Sequence, residues 1–138
     1  MTPSSQSADP IARRRPLTSR GNPNLALDYV VLLDSDVAVV DCLLRLRYVP
    51  DKLILEPESF DQYLSALSGH DLTEPEEIAL TVLDDINNQV VPRWVQVTLQ
   101  RGDRAAPNAP PPRHGVMVED CQPNWDNPAL LSRLPAPD

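Results

Sequence analysis

The chain has 138 residues and a formal net charge of −8. That length holds one domain with a modest core, and the acidic balance excludes binding to DNA or RNA through a basic footprint. Two cysteines without a secretory apolar region point to a reduced, cytoplasmic protein. No apolar run approaches membrane-spanning length.

Residues 1–22 are rich in Pro, Ser and Arg and have no hydrophobic periodicity, so they read as a disordered tail in which Arg13, Arg14 and Arg15 are solvated charges. Residues 28–33 read as a strand and Asp34, Ser35 and Asp36 as a turn. Val40, Cys42, Leu44, Leu46 and Tyr48 then alternate with Asp41, Arg45 and Arg47, the pattern of a half-buried antiparallel strand. The two runs make a hairpin.

Ser59 fits the N-cap of a helix ending near Ser68, with Phe60, Tyr63, Leu64 and Leu67 on one stripe. Gly69, His70 and Asp71 break it. Thr73 with Glu76 three residues later reads as a capping box, and a second helix extends to about Val90. Its apolar face is Ile78, Val82, Leu83 and Ile86, and its solvated side Asp84 and Asp85. Residues 93–100 alternate again, with Val95, Val97 and Leu99 inward. After a proline-rich insertion at 104–113, residues 114–119 form a candidate partner strand.

The expected architecture is therefore α+β, in the order ββααββ. A four-stranded antiparallel sheet carries two helices on one face, and subunits close its free edges into a barrel. The domain spans 23–120, and 121–138 is a C-terminal extension.

Three patches carry a likeness to a known family. The first is Tyr48, Val49, Pro50, Asp51 and Lys52, followed by Leu55, Glu56, Ser59, Tyr63 and Leu64. The second runs from Pro75, Glu76 and Glu77 to Pro92, Arg93, Trp94, Val95, Gln96 and Val97. The third is Arg113, His114, Gly115 and Val116. Asn22, Pro23 and Asn24, with Asp28 and Tyr29, echo the family's lead-in. The chain resembles the NADPH-dependent 7-cyano-7-deazaguanine reductases, the nitrile reductases of queuosine biosynthesis, which have the tunnelling fold. The resemblance implies a homo-oligomer in rings or stacked rings and a small heterocyclic ligand at a subunit interface.

The family's cysteine attacks the nitrile carbon from a loop that also carries an aspartate. Between Tyr29 and Tyr48 this chain has no matching loop. Cys42 falls on the apolar face of a strand, where a free cysteine is usually a small hydrophobe, and Cys121 lies among acids. The family's lysines are replaced by Glu58 and Asp61, which repel phosphate. No cofactor is therefore expected, and no NADPH-dependent nitrile reduction. No metal site is expected either.

What the resemblance retains is ring binding. Glu76 matches the family's substrate-anchoring glutamate, because a carboxylate accepts two parallel N–H bonds from an amino-pyrimidinone edge. Glu56 matches a second site glutamate, and Glu77 and Ser59 complete the expected binding set. His114 and Arg113 are the expected catalytic groups, for proton transfer and charge stabilisation. The expected function is binding of a purine-, pterin- or 7-deazaguanine-like ring, with non-reductive chemistry. The alternative is a non-catalytic binding or scaffolding homologue.

Overall fold

A computed structural model describes residues 10–67, 69, 72–101 and 114–135. The proline-rich insertion, with Arg113, and His70 lie outside the described residues.

The elements are α1 (Pro10–Arg14), β1 (Ser19–Gly21), β2 (Val31–Val37), a 3-10 turn (Ala38–Val40), β3 (Cys42–Val49) and β4 (Leu53–Leu55). They continue with α2 (Pro57–Leu67), α3 (Pro75–Val90), β5 (Trp94–Arg101), β6 (His114–Cys121) and α4 (Pro128–Leu131). An α+β chain results, with an antiparallel sheet ordered β2-β3-β5-β6 and a small antiparallel pair, β1-β4. No helix among the described residues is long and apolar enough to cross a membrane.

The alternation read from the sequence decides which way each strand faces. Cys42, Leu44, Leu46 and Tyr48 on β3 and Val95, Val97 and Leu99 on β5 are all buried on one face. Phe60, Tyr63, Leu64 and Leu67 of α2 and Ile78, Val82, Ile86 and Val90 of α3 join them in one core. Helical and strand periodicities thus converge on the same layer.

Four features differ from the sequence reading. First, Asp34, Ser35 and Asp36 do not turn; they continue β2, and the chain reverses at Ala38–Val40 with Asp41 left-handed at φ 55°. Asp34 tolerates the strand because Arg45, directly opposite, donates to its carboxylate at 2.9 Å.

Second, residues 10–21 hold a helix and a strand rather than a featureless tail. Arg13 is not solvated. Its Nε donates to Asp85 at 2.7 Å and its second terminal nitrogen at 2.5 Å, while the Tyr63 hydroxyl also donates to Asp85. Asp85 is fully buried rather than on the solvated side of α3. It stands three residues after Val82, so it falls on the buried stripe, and a carboxylate there must be paired. The bond to Asp85 pushes the Arg13 pKa up, against the opposing effect of burial.

Third, the caps shift. Glu74 rather than Thr73 is the N-cap of α3, Pro75 opens the helix, and the Glu77 carboxylate accepts from the Thr73 and Glu74 amides. Ser59 is not a cap either, because α2 begins two residues earlier at Pro57. Fourth, the C-terminal extension docks on the far face of the sheet. There Arg47 donates to Gln96, and to the Pro135 carbonyl at 2.8 Å, and Gln96 donates to Glu119. This row explains why Arg47 is buried on a face that the alternation assigns to solvent.

Candidate functional site

The register places the site residues at two different ends of the sheet. At one end Cys42 faces Arg101, and Arg101 faces His114, all three on the helix-covered side. The first turn of α3 reaches this row. Glu76 Oε2 lies 2.8 Å from His114 Nε2. Glu76 is half exposed and His114 about a third exposed.

The Glu76 carboxyl is held below the usual glutamate range, first by its own backbone amide at the helix start and then by His114, against a small opposing effect of desolvation. It is ionised at neutral pH and accepts only. His114 Nε2 must then carry the proton and donate. In the neutral imidazole this leaves Nδ1 as an acceptor, the arrangement a general base requires. The pair joins a hydrogen-bond acceptor for ring N–H groups to a proton acceptor next to it.

Arg101 belongs to this row and was not singled out from the sequence. Its Nε is shielded from water without a hydrogen-bond partner among the described residues. Cys42 beside it is buried, and that burial drives the thiol pKa up, with Arg101 opposing. A protonated, enclosed thiol is a poor nucleophile. The only sequence signal for Arg101 is a cation at an inward position of an otherwise apolar alternation, after Val95, Val97 and Leu99.

The other expected residues lie elsewhere. Glu77 caps α3. Ser59 Oγ accepts from the Thr18 amide at 3.1 Å and donates to the Glu56 carbonyl at 2.7 Å, so it joins the N-terminal segment to α2. Glu56 follows β4, where the Leu55 amide donates to the Tyr48 hydroxyl at 2.9 Å. Tyr48 is six residues along β3 from Cys42, a separation of about 20 Å at strand rise. Within one chain, Glu56 and Ser59 therefore do not meet Glu76 and His114.

Four surface grooves measure about 200, 210, 280 and 280 Å³. Neither Glu76 nor His114 lines any of these four. Among the described residues no cluster of His, Cys, Asp and Glu has the arrangement of a metal site.

The motif residues behind the likeness form a scaffold at the Tyr48 end. Arg93 donates to Asp28 at 2.7 Å, to the Leu25 carbonyl at 2.7 Å and to Asp51 at 3.4 Å. Asp28 also accepts from Trp125 and Asn127, and Asp51 from Gln122. Tyr29 donates to the Asn22 side chain, which in turn donates to the Asp51 carbonyl. The short connections around Asp28, Asp51 and Arg93 are thus held by one charged knot.

Residues 42–105 match the family model described as QueF-like protein. No curated protein matches the chain at a comparable level. Among solved structures, the apo form of the archaeosine synthase QueF-Like is similar, with 18% sequence identity and a TM-score of 0.47. The alignment covers 67% of this chain and 90% of that one. The stretch that matches the family model runs from β3 through α2 and α3 and beyond the end of β5.

Proposed function

We propose that the protein binds a purine-, pterin- or 7-deazaguanine-like ring between subunits of a homo-oligomer with the tunnelling fold, and acts on it without reduction or a thioimide. The observation that carries this reading is the Glu76–His114 pair at the start of α3, inside or beside the QueF-like segment. Glu76 accepts the ring's donor edge, and His114 takes or returns a proton at the bound molecule.

Two observations support a site between subunits. Glu76 stands at one end of the sheet, and Glu56 stands at the opposite end of the same chain. Only a neighbouring copy can bring Glu56 to a ring held by Glu76. Edge strands β2 and β6 each have a partner on one side only, which suits edge-to-edge closure into a barrel. The non-thioimide part rests on the thiols: Cys42 is buried with a raised pKa, and Cys121 lies exposed at the far end of β6, opposite Trp94.

Thermal-shift measurements against guanine, pterin and 7-deazaguanine test the reading, since a ligand that binds only the folded state raises its stability. A shift with at least one ring is expected, and Glu76→Gln should abolish it. Native mass spectrometry should show an oligomer. A wild-type response retained by Glu76→Gln, a covalent adduct on either thiol, or a free monomer would overturn the reading.

A further inference from the structure

Arg13, Arg45 and Arg93 are half-buried, and each meets a carboxylate, that of Asp85, Asp34 and Asp28 respectively. Arg47 is buried more deeply, at 4% exposure, and pairs with no carboxylate among the described residues. Its Nε and one terminal nitrogen donate to the Gln96 side-chain oxygen, and the other terminal nitrogen donates to the Pro135 carbonyl. Both acceptors are neutral. Burial and then Arg45 push the Arg47 pKa down, and Glu119 opposes them only from beyond Gln96, whose amide donates to it at 3.1 Å. A buried cation without an anion is costly. A carboxylate is the partner that its planar fork fits best.

There is room for one beside it. A groove of about 280 Å³ on the helix-free face is lined by Arg47, Trp94, Gln96 and Glu119 from the sheet and by Leu131 and Leu134 from the C-terminal segment. A second groove, of about 200 Å³, runs past Val30 and Leu32, and Arg47, Leu134 and Pro135 border both. Arg47 thus adjoins open space on two sides, and the carbonyl that closes it belongs to an exposed residue.

We propose that Arg47 anchors a second ligand site, on the helix-free face, for a small monocarboxylic acid with an apolar body, whose carboxylate takes the place of the Pro135 carbonyl. Trp94, Leu131 and Leu134 cover the apolar body. Glu119 repels a second negative charge and so selects against dicarboxylates. The site shares no residue with Glu76 and His114, so its failure leaves the proposed ring binding untouched.

The test is calorimetric titration of the full-length chain with benzoate, benzamide and phthalate. Wild type should bind benzoate saturably and prefer it to its uncharged amide by roughly 10-fold, the difference between a charge-assisted and a neutral hydrogen bond. Arg47→Met should lose the preference and Arg47→Lys should keep part of it, with circular dichroism establishing that each variant is folded. The comparison of benzoate with benzamide needs no variant, so it decides the matter even if Arg47→Met does not fold. No saturable binding of benzoate to wild type, equal affinity for benzamide, or an undiminished preference in folded Arg47→Met would overturn the proposal. Phthalate binding as tight as that of benzoate would overturn the choice of a monocarboxylate. Benzoate binding that appears only in Asp138→Asn would also sink the proposal, because the chain's own acid would then be the partner of Arg47.

Discussion

The two ends of the main sheet are built on opposite principles. At the Tyr48 end, Arg93, Asp28, Asp51, Asn22 and Gln122 exchange charge-assisted bonds across four separate segments. The β1-β4 pair and the N-terminal arm close over the same end, where the Glu56 amide donates to the Thr18 carbonyl. At the Cys42 end, a glutamate and a histidine lean together on the surface, and one arginine nitrogen has no partner among the described residues. Most polar groups at the first end are spent on one another, although the Trp94 Nε1 there is also buried without a partner among the described residues. What distinguishes the second end is an exposed pair, Glu76 and His114, whose remaining acceptor and ring-nitrogen positions lie outside any such knot.

Mutations should separate the two ends by size of effect. Arg13→Ala leaves the fully buried Asp85 without its bidentate partner. Breaking such a pair costs about 3–5 kcal/mol, which urea denaturation should register as a lower midpoint with little change in slope. An unchanged midpoint would mean that the arm is not part of the fold.

A smaller effect should follow Asp28. Burial opposes its ionisation, but Asn127, Arg93 and Trp125 together hold its pKa below the ordinary aspartate range. A depressed folded-state value gives stability that is present above the unfolded pKa and lost as pH falls through the folded one. Wild type should therefore lose stability on acidification below about pH 4, and Asp28→Asn should flatten that part of the curve. Parallel curves for the two proteins would remove Asp28 from the knot.

The smallest change in stability belongs to the Cys42 end. Glu76→Gln and His114→Ala should leave the ligand-free thermal midpoint where it is, because the pair is solvated and exposed pairs contribute little. A large drop would make the pair structural and blur the contrast between the ends.

The sequence made most of the core legible. Strands β3 and β5 announce themselves through strict alternation, and α2 and α3 through apolar stripes, because burial imposes those periods directly. The arm was not legible in the same way. Pro10–Arg14 has no amphipathic pattern, and its order comes from Asp85, 72 positions later in the chain. The clue was an acid three residues after Val82 on a buried stripe, a place that demands a distant cation.

Of the candidate site, the sequence made one contact legible. Glu76 and His114 were both singled out, and the structure brings them into contact. Glu77 and Ser59 were legible as polar groups near helix starts, but their bonds hold the backbone together. Sequence alone cannot tell a carboxylate that completes a cap from one that faces outward, since both occur in a first helical turn. Arg101 escaped notice because its meaning depends on which residues lie opposite in the register.

The clasp between Arg13 and Asp85 also orders events in time. A ribosome releases the arm first, yet its carboxylate partner emerges only after α2 and most of α3 have been made. Closing so long a loop is entropically costly and is rewarded only once the intervening helices have packed. A segment made before both helices is thus among the last to find its place, and until then the nascent chain carries an unpaired anion within its helical layer.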